Sequence, residues 1–181
     1  CALPICCTCF LLAATACQPP TSPTHDLAVS ANGHYLTNRD GTPFYWLGDT
    51  GWGLFQQLTR EEVDRYLDDR KAKGFTLIPA VAFWYPHGAI DALGPLNDTN
   101  AYGHQPFVGA ADAPATDQPL LVEGGSPLAP NDYWDHVDYA IDAVRQRGLK
   151  LVLLPCWGNA YINNRMQGAQ IEFTEAEART Y

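Results

Sequence analysis

Residues 131–158 read NDYWDHVDYAIDAVRQRGLKLVLLPCWG, and the order of signals in this stretch decides the fold. Asn131 or Asp132 can cap a helix, because a short side-chain oxygen accepts from the free N–H groups of a first turn. Trp134, Val137, Ile141 and Val144 follow at helical spacing and give the helix one apolar face. Gly148 stops it, since glycine enters the left-handed region beyond a last turn without steric penalty. The residues after it, LKLVLLPCWG, form a nearly continuous apolar run that reads as a buried strand.

The same grammar occurs once before. In LTREEVDRYLDDRKAKGF, residues 58–75, Thr59 and Glu62 have the spacing of a capping box, Val63, Tyr66 and Leu67 make an apolar stripe, and Gly74 supplies the stop. A second apolar run, FTLIPAVAF at residues 75–83, follows it. Lys73-Gly74-Phe75 and Arg147-Gly148-Leu149 therefore occupy equivalent places. Further upstream, PFYWLGDTGWGLF at residues 43–55 suggests a buried strand over residues 44–47, with Asp49 at its C-terminal end. Residues 27–30 and 34–37 read as short strands, and Asn38-Arg39-Asp40-Gly41 carries turn chemistry, so a hairpin leads into the core.

Alternating strands and helices imply a parallel sheet covered by helices. A doubly wound sheet and a (β/α)8 barrel both begin this way. No GxGxxG or GxxxxGK[ST] follows any strand, which removes the usual reason to favour a nucleotide-binding sheet. All three strands instead end in aromatic and polar residues: Asp49 with Trp52, then Trp84, then Trp157 with Asn159. Barrel enzymes build their sites from such ends. A complete barrel takes about 250 residues, so three strands in 181 residues predict the N-terminal portion of a (β/α)8 barrel, preceded by a short β-hairpin.

The chain carries 20 acidic against 11 basic residues, for a formal charge of −9. That balance, without a cluster of bases, argues against a phosphate-backbone partner, so nucleic acid is not expected. Five of the six cysteines lie in the first 17 residues, in the run CALPICCTCFLLAATAC, which reads as a signal-peptide apolar region. Residues 1–17 are thus expected to be a signal peptide or lipobox, 18–26 a Pro/Ser/Thr linker, and 27–181 the folded domain. Two processing routes fit: lipidation of Cys17, or plain cleavage after Ala16. Either predicts export, with membrane contact only through a lipid anchor.

The stretch between Tyr85 and Pro130 is long and rich in Gly, Pro, Asn and Asp, and long loops in compact domains are usually functional. It includes NAYGHQPF, residues 100–107. GAADAPATDQPLLVEGGSP, residues 109–127, reads as a variable, mobile insertion. His87 and His104 have no HxH or HExxH spacing, so no metal is expected. Trp134 belongs with the core stripe.

Four separated segments also resemble one family in register: VSANGHYLTNRDGTPFYWLGDTGWGLFQQLTREEVDRYLDDRKAKGF (29–75), NAYGHQPF (100–107), YWDHVDYAIDAVRQRGLKLVLLPCWGN (133–159) and FTEAEARTY (173–181). The family is the apiosidase-like glycoside hydrolases of polysaccharide-degrading bacteria. The resemblance implies a (β/α)8 barrel that cleaves glycosidic bonds in plant cell-wall polysaccharide side chains with two carboxylates and no cofactor. In that family the acid/base is an Asp ending the strand after the helix begun by FTEAEARTY, and the nucleophile lies on a later strand. Residues 1–181 therefore hold no expected catalytic residue, and this portion alone is expected to be inactive. The resemblance in NAYGHQPF also implies a structured active-site loop carrying Asn100, Tyr102 and His104, and the expected sugar contacts are Asp49, Trp52, Trp84, Asn100, Tyr102, His104, Trp157 and Asn159. A non-catalytic carbohydrate-binding surface lipoprotein is the competing reading, using the same aromatic cleft without the acids.

Overall fold

The computed structural model describes residues 27–83, 97–111 and 113–155. The chain divides into two compact units, residues 1–44 and 45–181. In the first unit, β1 (Leu27–Val29) and β2 (Leu36–Asn38) pair antiparallel, with Leu27 opposite Asn38. Ser30 shapes the loop between them, because its hydroxyl accepts from the N–H groups of His34 and Tyr35 and donates to Asn32. The expected second strand starts two residues late for that reason. The Asn38 to Gly41 turn is present: Gly41 has φ +83° and the Asp40 carboxylate accepts from Thr42.

The second unit is mixed α/β. Helix α1 (Arg60–Ala72) begins at Thr59, whose hydroxyl accepts from the Glu62 N–H while the Glu62 carboxylate accepts from the Thr59 N–H. Both halves of the expected capping box are therefore made. Gly74 stands at φ +82° beyond the last turn. Strand β3 (Leu77–Val81) follows. Helix α2 (Tyr133–Gln146) begins at Asp132 and is followed by Gly148 at φ +67° and β6 (Lys150–Leu154). Strands β3 and β6 pair parallel from Leu77 opposite Lys150 to Val81 opposite Leu154. The helices pack on each other and α2 packs on β6.

The helical stripes hold with one shift. Val63 and Leu67 are fully buried under α1, whereas α2 buries Tyr133, His136, Val137, Ala140, Ala143 and Val144. Trp134 and Ile141 lie half-buried against that core. An arginine ties the helices together outside the core: Arg147 bonds Asp64 and Asp68, and Tyr139 donates to Asp64.

Two expectations are corrected. Residues 44–47 form no buried strand, since Tyr45 is 73% and Trp46 56% exposed. The parallel contact with β3 starts later: Leu47 O accepts from Leu77 N, Asp49 N donates to Leu77 O, and Gly51 N donates to Pro79 O. Asp49 is thus mid-ladder rather than at a strand's end. Nor is the 109–127 stretch a mobile insertion throughout. β4 (Phe107–Ala110) and β5 (Ala113–Pro119) form an antiparallel hairpin, with a register break between Phe107 and Val108.

Candidate functional site

Each helix ends where the next strand begins, through Gly74 before β3 and Gly148 before β6. Both helix N-termini therefore lie toward the C-terminal ends of the parallel strands, where α/β proteins place their chemistry. One contact shows this directly: the Tyr133 hydroxyl, on the first residue of α2, donates to Ala82 O just past β3, at 2.7 Å.

The loop of residues 97–107 covers this end. Asn100 folds it, because its side-chain oxygen accepts from Tyr102 N and His104 N while its backbone closes on His104. Gly103 permits the turn at φ +81°. Tyr102 then reaches α1: its hydroxyl accepts from Arg60 N at 2.8 Å, satisfying one of the free donors of the first turn, and the Arg60 guanidinium lies 4.0 Å over its ring. On the α2 side, Trp134 Nε1 donates to Pro106 O at 2.7 Å. Asn100, Tyr102 and His104 are brought together as the sequence suggested, each held by backbone contacts.

Beside this loop lies a cavity of about 480 Å³ between the β4–β5 hairpin, the start of α2 and the end of β6. Phe107, Trp134, Leu153 and Pro155 supply apolar wall, and Thr116 and Asp117 the polar groups. An indole face beside a carboxylate and a hydroxyl can take the C–H face of a sugar while bonding its rim of hydroxyls. Nothing in the sequence marked Thr116 or Asp117, because their hairpin is built mostly from Ala, Pro and Gly, with Val108 and Thr116 its only β-branched residues.

Asp49 has different company. It shares the ladder face that looks toward α1: Tyr66 OH donates to Asp49 Oδ2 at 2.7 Å and Arg70 Nη1 stands 3.3 Å from the same oxygen. Burial, and then this bond to a carboxylate, push the Tyr66 hydroxyl well above its ordinary value. Arg70 lies ten residues along α1 from Arg60, about 15 Å of helix axis, so Asp49 is not brought to the loop carrying Tyr102. The glycines around it serve the same packing. A Cβ on Gly48 would stand 2.6 Å from Leu77 Cδ1, and one on Gly51 3.0 Å from Ile78 Cγ2. Trp52 is half-buried in the turn leading from the ladder to α1. Trp84, Trp157, Asn159, Cys17 and His87 lie outside the described residues.

This arrangement makes Asp49 a positioning residue for α1. Asp49→Asn keeps an acceptor for Tyr66 but loses the attraction to Arg70. Both charged side chains are about a quarter to a third exposed, so the loss should be only about 0.5–1 kcal/mol. The melting temperature of the protein should fall by only about 1–4 °C. An unchanged melting temperature would show that the carboxylate does not anchor α1.

Residues 30–181 match the family described as Apiosidase-like, catalytic domain. Among solved structures, the chain is similar to a glycoside hydrolase at 29% identity and TM-score 0.56, with 74% of this chain and 26% of that one covered. It is equally similar to a glycoside hydrolase family 5 protein from Bacteroides vulgatus ATCC 8482, at 29% identity and TM-score 0.56, covering 75% and 25%. The chain thus spans about a quarter of the length of these structures. No curated protein matches it.

Proposed function

Because the chain belongs to the apiosidase-like catalytic-domain family, we propose that it forms the first part of a (β/α)8 barrel glycoside hydrolase that trims side chains of plant cell-wall polysaccharides. The observation that carries this reading is a family match running unbroken over residues 30–181, combined with parallel strands whose C-terminal ends gather the loop of residues 97–107 and both helix N-termini. Coverage of about a quarter of two glycoside hydrolases supports assigning the reaction to a longer protein. In it, residues 27–181 would build one wall of the sugar site and leave the carboxylate pair to later strands.

The reaction proposed is hydrolysis with retention, in which one carboxylate attacks the anomeric carbon, the other protonates the departing oxygen, and water then releases the sugar. Such a pair stands about 5–5.5 Å apart. The test is to incubate the intact protein with an aryl apioside and with plant cell-wall side-chain oligosaccharides, following released sugar and its first-formed anomer by NMR. Release with retained configuration is expected. Release with inversion would remove the two-step mechanism, and binding without any release would remove the enzyme.

A further inference from the structure

His136 is, with Tyr133, a fully enclosed titratable side chain at the strand ends. It is 0% exposed, and among the described residues neither Nδ1 nor Nε2 has a hydrogen-bond partner of good geometry. Buried polar groups are ordinarily paired, so an unpaired imidazole calls for a reason. Its surroundings supply one. From the loop, the Tyr102 ring meets it edge-on at 5.3 Å; from its own helix, the Tyr139 ring lies 6.4 Å away and within 9° of parallel. The charges acting on it are Arg60 from α1 and His104 from the loop, and both oppose a second positive charge. Tyr139 is itself bonded to Asp64, and Asp132 and Asp135 accept from backbone N–H groups of Val122, Asp135 and Asn131.

We propose that His136 is the pin of an acid-sensitive latch, which uncharged lets residues 97–107 close over the N-termini of both helices and protonated forces them off. The mechanism is electrostatic. A proton on the enclosed ring would sit beside Arg60, which itself lies on the Tyr102 ring, with only the Leu58 carbonyl to favour it. Opening the loop hydrates the imidazolium and separates it from that guanidinium, so the proton binds the open form preferentially. Burial first, and then Arg60, lower the closed-state pKa to about 4, while the Leu58 carbonyl works in the opposite sense. In the open form the ring regains its ordinary value of about 6.5.

The sign follows by linkage. A depressed closed-state pKa means that the open form holds more protons, so closure is strongest above about pH 6.5 and weakens as pH falls toward 4. Over that window the open population rises about tenfold per pH unit. The latch is independent of the glycosidase reading, since it concerns only the loop and the two helices.

Hydrogen exchange of the intact protein between pH 7.5 and 4, corrected for intrinsic rates, tests it. Protection of amides in residues 98–106 should fall by about an order of magnitude per unit below pH 6.5, while α1 and β3 keep theirs. His136→Phe retains an aromatic ring that cannot titrate, and should abolish the slope; His104→Gln should leave most of it. An unchanged slope in His136→Phe, or none in the wild type, overturns the latch. Should the phenylalanine variant fail to fold, an NMR titration of the wild-type imidazoles decides. A His136 resonance with a midpoint well below 6.5 supports the proposal, and one at the ordinary value sinks it.

Discussion

Asn97→Leu is expected to destabilise the protein by about 3 kcal/mol, although it replaces a polar residue with an apolar one of similar size. Asn97 is fully buried and serves as a template for the turn from the loop into β4. Its Nδ2 donates to Phe107 O at 2.8 Å and Gly109 O at 3.2 Å, and its Oδ1 accepts from Phe107 N at 2.9 Å. Its own backbone accepts from Gln105 and donates to Ala111. Leucine would fill the space but remove the three side-chain hydrogen bonds that hold Phe107 N, Phe107 O and Gly109 O, each worth about 1 kcal/mol. Phe107 packs edge-on against Phe83 at 4.8 Å and against Trp134 at 5.7 Å, so loosening it disturbs the cavity wall as well. A drop in melting temperature of roughly 6–12 °C is expected for a domain of this size. Asn97→Asp is the sharper probe, because a carboxylate would face two carbonyls. Its folded-state pKa should be raised, so it should be less harmful below pH 4 than at pH 7. A melting temperature unchanged in both variants would show that the loop folds without this template.

What the residues alone revealed, and what they hid, follows from the range of the interactions. Helix α1 was legible because Thr59, Glu62 and Gly74 act within one or two turns of where they stand, and α2 for the same reason. Even there the buried face of α2 runs through Tyr133 and His136 rather than Trp134 and Ile141. A histidine does not announce itself as core, and period counting favours the larger apolar side chains. The first strand failed for a different reason. An apolar run such as Phe44-Tyr45-Trp46-Leu47 states that burial is affordable, not which residues receive it, and pairing with β3 begins only at Leu47. Register in a sheet alternates face with every residue, so moving the ladder onto Leu47–Gly51 set the Asp49 side chain toward Tyr66 and Arg70. The loop of residues 97–107 was legible as structured only through the family resemblance of NAYGHQPF, residues 100–107, and its most buried organiser, Asn97, was not legible at all. Its partners are backbone groups about ten residues away, and a backbone carries no sequence signature.

Tyr133→Ala should cost the protein about 3–5 kcal/mol. Tyr133 is the largest fully buried side chain of the described residues, and it joins three features that otherwise meet only through the core. It opens α2, its hydroxyl reaches Ala82 O beyond β3, and its ring meets Trp134 at 5.4 Å. Ala82 N in turn donates to Leu154 O, extending the β3–β6 ladder by one step. The phenol thus fixes how the chain leaves β3, at the end where the proposed site lies. Truncation to alanine would open a cavity in the helix–sheet interface, whereas Tyr133→Phe keeps the ring and removes only the bond to Ala82 O, for about 1–2 kcal/mol. Chemical denaturation of both variants separates the two contributions. Kinetics then separate packing from positioning. If the bond to Ala82 aims the strand end at substrate, Tyr133→Phe should lower kcat/KM in the proposed glycosidase assay by more than its small stability loss explains, at temperatures where it remains folded. Normal kinetics in a folded Tyr133→Phe protein would mean that the ring alone sets the geometry, and that the hydroxyl serves only to satisfy a buried carbonyl.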